Sequence, residues 1–141
     1  MVRTVVRIES ERAKTNPLWP AYWQFGVGYW RVPERIGSRT DLYEASFTQI
    51  YRFARPLNGS TAWYVEAGLG AHLLSRTVNN QHTTLPTAFQ FGSHIGAGLA
   101  FGPQRQFELG IAAQHLSNAR IKQPNRGINF VQVFVSWRIA D

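Results

Sequence analysis

Hydrophobic side chains return at every second position over long runs of this chain, and no stretch of ten or more residues shows a clear helical period. In 21–31, Ala21, Trp23, Phe25, Val27 and Tyr29 share one face, against Tyr22, Gln24, Gly26, Gly28 and Trp30. In 63–74, Trp63, Val65, Ala67, Leu69, Ala71 and Leu73 oppose Tyr64, Glu66, Gly68, Gly70 and His72. In 88–101, Phe89, Phe91, Ser93, Ile95, Ala97, Leu99 and Phe101 oppose Gln90, Gly92, His94, Gly96 and Gly98. The run Phe107, Leu109, Ile111, Ala113 continues on the same parity into His115 and Ser117, and Val131, Val133, Val135, Trp137 and Ile139 close the series. Segments 2–9 and 40–54 read as further, less regular strands.

Several of these runs are about ten to fourteen residues long, where strands of soluble proteins are mostly about 5–6 and a tilted membrane-spanning strand needs about 9–11. One face is continuously apolar with aromatics at its ends; the other mixes glycine, Gln, Glu and His. A soluble lipocalin-like barrel would reverse this, with the apolar face inside and charge outside. The expected fold is therefore all-β, a small antiparallel transmembrane β-barrel in a single domain over 1–141. Arg55-Pro56-Leu57-Asn58-Gly59 and Gly102-Pro103-Gln104 mark tight turns, while 31–40, 75–87 and 118–127 are longer polar connections. Short turns on one side and long loops on the other are how outer-membrane barrels distinguish their two ends. Seven strands are an odd number and such barrels favour even ones, so the expectation is eight, with the first strand missing ahead of Met1.

Composition agrees. Charged residues are 16% of the chain, against about 25% in ordinary soluble domains, and aromatics are 13%. There is no cysteine, which excludes disulfides and thiolate metal sites. The net charge of +7 comes almost wholly from arginine, with Lys14 and Lys122 the two lysines. Such a charge suits nucleic acid, anionic lipid or glycolipid phosphates. The aromatics fall on the membrane-facing parity, so no nucleic-acid signature emerges. No apolar run reaches the length of a membrane helix, and the start has no secretory h-region.

His115 and Ser117 are two residues apart on a strand, so both side chains point the same way from Cα atoms about 6.5–7 Å apart. A general base paired with an oxygen nucleophile needs that arrangement. The pair stands at the end of the lipid-facing row, at the interfacial rim, where an ester in the membrane surface could be attacked. A rim histidine bonded to water or lipid headgroups fits the same position. His72, His94 and Glu66 lie on the inward faces, where a hydrogen-bonded lumen network is favoured over a metal site. His82 has no assignable role.

The longer run His115-Leu116-Ser117-Asn118, then Lys122-Gln123-Pro124-Asn125 and Gly127-Ile128, resembles the PagL family of lipid A 3-O-deacylases. The likeness is strongest over 60–139, including Val65 to Gly70, Phe91 and Ile95 to Leu99, and extends weakly back to about residue 2. The resemblance implies an eight-stranded outer-membrane barrel acting as a serine esterase on an ester-linked 3-acyl chain of lipid A, without a cofactor. Ser117 would be the nucleophile and His115 its base. The family pattern has a glutamate two residues after the loop glycine, where this chain has Asn129. An amide oxygen there can orient an imidazole, as in Cys-His-Asn enzymes, without the charge that stabilises an imidazolium. Asn118, Asn125 and Phe91 are candidates for oxyanion or substrate contacts. Arg120, Lys122 and Arg126 could hold the phosphates of lipid A. Arg120 occupies a position where family members often have a small residue. Expected partners are lipid A and outer-membrane lipid, with room for a homodimer and no nucleic acid. The rival reading is a non-catalytic barrel that anchors in the membrane or binds its glycolipid.

Overall fold

The computed structural model describes residues 2–14, 21–33, 39–79 and 84–137. Its elements are β1 (Val2–Glu9), a 3-10 turn (Glu11–Lys14), β2 (Tyr22–Pro33), β3 (Arg39–Pro56), β4 (Thr61–Leu74), β5 (Val78–Asn79), β6 (Thr84–Leu85), β7 (Phe89–Phe101), β8 (Phe107–Ser117) and β9 (Ile128–Trp137). The seven long strands form one antiparallel meander ordered β1-β2-β3-β4-β7-β8-β9, and β5 and β6 form a separate two-stranded ladder. The seven strands legible as alternation are thus the seven of the sheet; β5 and β6, two residues each, are too short to carry a period.

Burial alternates with the sequence. On β7, β8 and β9 the odd-numbered apolar side chains point outward and are exposed, as a lipid-facing wall requires. Aromatics gather at both ends of that wall. At one end Phe53 packs on Trp63, Phe101 on Phe107 and Phe107 on Trp137; at the other Tyr29 packs on Tyr43 and Phe89 on Phe91. From Phe107 to Ser117 the strand climbs roughly 34 Å, or about 24 Å of depth at a 45° tilt, close to the ~25 Å apolar band of such barrels.

The sheet curls until its inner faces meet. Arg3 on β1 donates to Glu44 on β3 (2.7 Å) and to Gln114 on β8 (2.8 Å). Arg52 on β3 bridges Glu66 on β4 (2.6 Å) and Glu108 on β8 (2.5 Å), and Arg7 reaches the same two carboxylates. His72 sits 2.6 Å from Glu44 through Nδ1, and His94 lies 3.7 Å from Glu66. Buried charges survive only when paired, and these are paired several times over. The expected lumen network exists, but His72 joins it through Glu44, and its cations are three arginines that alternation alone did not single out. Two glycines make room for it: a Cβ at Gly68 would lie 2.2 Å from the His94 ring, and one at Gly92 would lie 2.1 Å from the His72 ring.

The turns assign the ends. Leu57 N–H donates to Thr61 O (2.9 Å), Arg105 N–H to Gly102 O (2.8 Å), and Arg105 Nη2 to Asn58 O (3.0 Å), so the two tight turns are clamped together at one end. At the opposite end the interior is apolar: Trp30, Leu42, Leu74, Val78, Leu85 and Leu116 form a buried cluster, with Ile128 and Phe130 packed against it. Val78 and Leu85 face each other across the β5–β6 ladder, so that hairpin fills the mouth. Among the described residues, β1 and β9 are the unpaired edges of the sheet, and they approach through Arg7, whose guanidinium lies 5.4 Å over the Phe134 ring.

Candidate active site

The register of three strands builds the site. Ser93 on β7 pairs with His115 on β8, and His115 pairs with Asn129 on β9, so the three form one rung. The next rung toward the loop end pairs Phe91 with Ser117. All five side chains have outward parity. On the outward rows of β4, β7, β8 and β9, inside the Trp63, Phe101, Phe107 and Trp137 girdle, every side chain is apolar except Ser93, His115, Ser117 and Asn129. The four polar groups of these four rows are therefore contiguous, at the level of the Phe89–Phe91 aromatic pair.

His115 Nδ1 is 2.7 Å from Asn129 Oδ1. An amide oxygen can only accept, so Nδ1 carries the proton and the lone pair of the neutral ring is left on Nε2. Ser117 makes no hydrogen bond among the described residues, and both it and His115 are half-buried. Gly127, at φ +65°, lies against both: a Cβ there would be 2.9 Å from His115 Cε1, 3.3 Å from Ser117 Cβ and 2.7 Å from Leu116 O. Only glycine combines that backbone conformation with that proximity. Gly127 is itself tied by a bridge to Thr84 of the mouth hairpin, which braces the site from above.

The loop 118–127 is organised by Asn118, whose side chain is fully buried and faces away from the outer wall. Its Nδ2 donates to Lys122 O (3.0 Å) and its Oδ1 accepts from Arg120 N–H (3.1 Å). Ala119 and Arg120 are held at φ 51° and 67°, a left-handed conformation that costs a non-glycine residue about 1–3 kcal/mol and that these bonds sustain. The loop thus keeps its sharp turn with an arginine where a small residue was the expectation. Asn125 Oδ1 reaches back to Asn118 N–H (3.5 Å), which places the Asn125 amide beside the site, while its Nδ2 and the Ala119 N–H are uncommitted among the described residues. Arg120, Lys122 and Arg126 are exposed on this loop.

Below His115 the outer wall is hollowed into a groove of about 440 Å³, lined on that face by Ser93, Ile95, Ala113, His115, Asn129 and Val131. Small Ala113 stands on its rung between the larger Ile95 and Val131. Structure thus gathers His115, Ser117, Asn129 and Phe91 on the outer wall, sets Asn125 beside them and turns the Asn118 side chain inward. Ser93 was missed by sequence reasoning. Its polarity within an apolar row is visible in the sequence, but its place beside His115 comes from the β7–β8 register. His82 lies outside the described residues.

A family model described as "Lipid A 3-O-deacylase (PagL)" matches residues 6–138. The chain belongs to the PagL family. It is 33% identical over 117 residues to the lipid A deacylase PagL of Bordetella bronchiseptica, covering 82% of this chain and 60% of that protein. Over 114 residues it is 35% identical to the lipid A deacylase PagL of Pseudomonas aeruginosa, covering 80% and 61%. The chain therefore spans about three-fifths of the length of these PagL relatives. A crystal structure described as that of the outer membrane enzyme PagL superposes with a TM-score of 0.78 at 26% identity, covering 97% of this chain and 88% of that one.

Proposed function

We propose that this chain is an outer-membrane serine esterase that hydrolyses the ester-linked 3-acyl chain of lipid A. The observation that carries the reading is the placement of the wall's polar residues: a histidine oriented by Asn129 stands beside an unpartnered serine on a surface otherwise made for lipid. A half-buried hydroxyl and imidazole on the outward face are costly for a passive wall and useful to an enzyme whose substrate lies in the membrane.

The chemistry follows from the ring. Ser117 Oγ adds to the acyl carbonyl while its proton passes to His115 Nε2. The tetrahedral adduct collapses, the C–O bond to the sugar breaks, and the sugar oxygen takes the proton from His115. Water, deprotonated by the same Nε2, then cleaves the acyl-enzyme, releasing fatty acid and restoring Ser117. Asn129 holds the ring through Nδ1–H but supplies no charge for the imidazolium. The Ala119 N–H and the Asn125 Nδ2 are the uncommitted donors offered to the oxyanion. Arg120, Lys122 and Arg126, exposed on the loop, would bind phosphates while the acyl chain enters the groove.

Refolding the chain in detergent with lipid A and following fatty acid release by mass spectrometry tests this directly. Release abolished by both Ser117→Ala and His115→Ala is the expected result. The absence of a carboxylate at 129 favours one alternative, a barrel that binds glycolipid through its basic loop without cleaving it, and binding without release would select that alternative.

A further inference from the structure

A base and a nucleophile need a fixed separation, yet His115 and Ser117 stand where the sheet runs out. The β7–β8 ladder reaches Phe91–Ser117, but the β8–β9 ladder stops one residue earlier, at Leu116–Ile128. Ser117 is the last residue of β8 and, among the described residues, has a strand neighbour on one flank alone. Local opening is cheapest at such ends. Displacing reacting groups by about 1 Å can cost about 10²-fold in rate.

The anchor at this end is Leu116. Side chains alternate, so the residue between His115 and Ser117 points inward, and Leu116 is fully buried. It lies in the apolar cluster of the mouth with Val78 and Leu85 of the β5–β6 hairpin, and its rung partner Ile128 packs against that cluster. The hairpin reaches the site a second time through Thr84, next to Leu85, which bridges Gly127. It therefore bears on both chains where their ladder stops: on β8 through Leu116, and on the approach to β9 through Gly127.

We propose that Leu85 is a positioning residue for the esterase pair, holding Leu116 in place and, through it, His115 and Ser117; this rests on the esterase reading above. Leu85 is 1% exposed, pairs with Val78 across the hairpin and lies on the interior side of the wall. Truncating it leaves a cavity into which Leu116 can settle. The backbone of 115–117 follows, because successive Cα atoms keep a fixed spacing. None of the outward-facing residues that line the acyl groove belongs to the cluster, so the loss falls on the chemical step and not on substrate binding.

The test uses the refolded chain in detergent with two readouts. Fatty acid release from lipid A gives kcat and KM. Labelling by a fluorophosphonate, in which Ser117 Oγ displaces fluoride from phosphorus, reads the pair without lipid A. Leu85→Ala should lower kcat and the labelling rate about tenfold with KM within about twofold. Leu85→Ile, which keeps the volume, should restore most of both. Ile50→Ala makes a cavity in the same barrel outside the cluster; it should lower the unfolding midpoint in urea and leave kcat and labelling unchanged. Leu85→Val, a milder truncation that carries the test if Leu85→Ala does not refold, should lose about two- to threefold in kcat. Unchanged kcat and labelling in the folded Leu85 variants, an equal loss in Ile50→Ala, or a rise in KM alone would each overturn the assignment. If the unmodified chain neither releases acid nor takes the label, the esterase reading fails and this inference with it. If it does both and the Leu85 variants match it, only the inference fails.

Discussion

Two polar clusters occupy this barrel, one inside the wall and one outside, and they are satisfied to very different degrees. Inside, Arg3, Arg7 and Arg52 meet Glu44, Glu66 and Glu108 at 2.5–3.4 Å, with His72, Gln24 and Gln114 taking up further bonds. Outside, the rung holds a single hydrogen bond, His115 to Asn129, and the hydroxyls of Ser93 and Ser117 are unpartnered among the described residues. Both clusters border a low-dielectric medium, where an unmet polar group is expensive. The inner cluster closes on itself and holds the curl of the sheet. The outer one stays open, as a site must if a substrate is to complete it.

That contrast predicts opposite outcomes for substitutions in the two places. Ser117→Ala should abolish lipid A deacylation by at least about 10³-fold while leaving the unfolding midpoint in urea unchanged. Arg52→Met should do the reverse. It leaves Glu66 and Glu108 in the interior with Arg7 as their remaining arginine partner among the described residues, so a loss of about 3 kcal/mol in unfolding free energy is expected from denaturant titration in lipid vesicles, with activity per folded molecule preserved. A stable Arg52→Met barrel would mean that water reaches the lumen and the network is not what shapes the wall.

Smaller effects sharpen the outer cluster. Gly127→Ala introduces a methyl where His115 Cε1 is 2.9 Å away and imposes an unfavourable φ of +65°. Displacing the imidazole by a fraction of an ångström should lower kcat by about tenfold or more with little change in KM; an unaltered kcat would show that His115 tolerates such movement. Asn129→Glu replaces a neutral acceptor by a charged one, and charge-assisted hydrogen bonds are about twice as strong. An increase in kcat of up to about tenfold is expected, read from initial rates of fatty acid release, and a decrease would indicate that the amide's own geometry is needed at this rung.

The neighbourhood of His115 also marks the division between what was legible and what was not. His115, Ser117 and the outward parity of Asn129 follow from spacing within a strand, because side chains alternate strictly and i, i+2 neighbours share a face whatever the rest of the chain does. The long strands and their lipid-facing rows were legible for the same reason. The hairpin at Val78–Asn79 and Thr84–Leu85 was not, since two-residue strands carry no period. The inward turn of Asn118 and the left-handed Ala119 and Arg120 depend on bonds formed inside the loop, which spacing does not encode.

By itself, then, the sequence determined an antiparallel wall with one face for lipid and one for the lumen, and a histidine and serine at its rim. Alternation is a local property, written residue by residue. Only the tertiary structure decided which residues stand side by side across strands: Asn129 opposite His115, Ser93 on the other flank, Arg52 between Glu66 and Glu108 from two different strands. Register is fixed by turn length and by packing of the closed interior, and both are properties of the whole curled sheet.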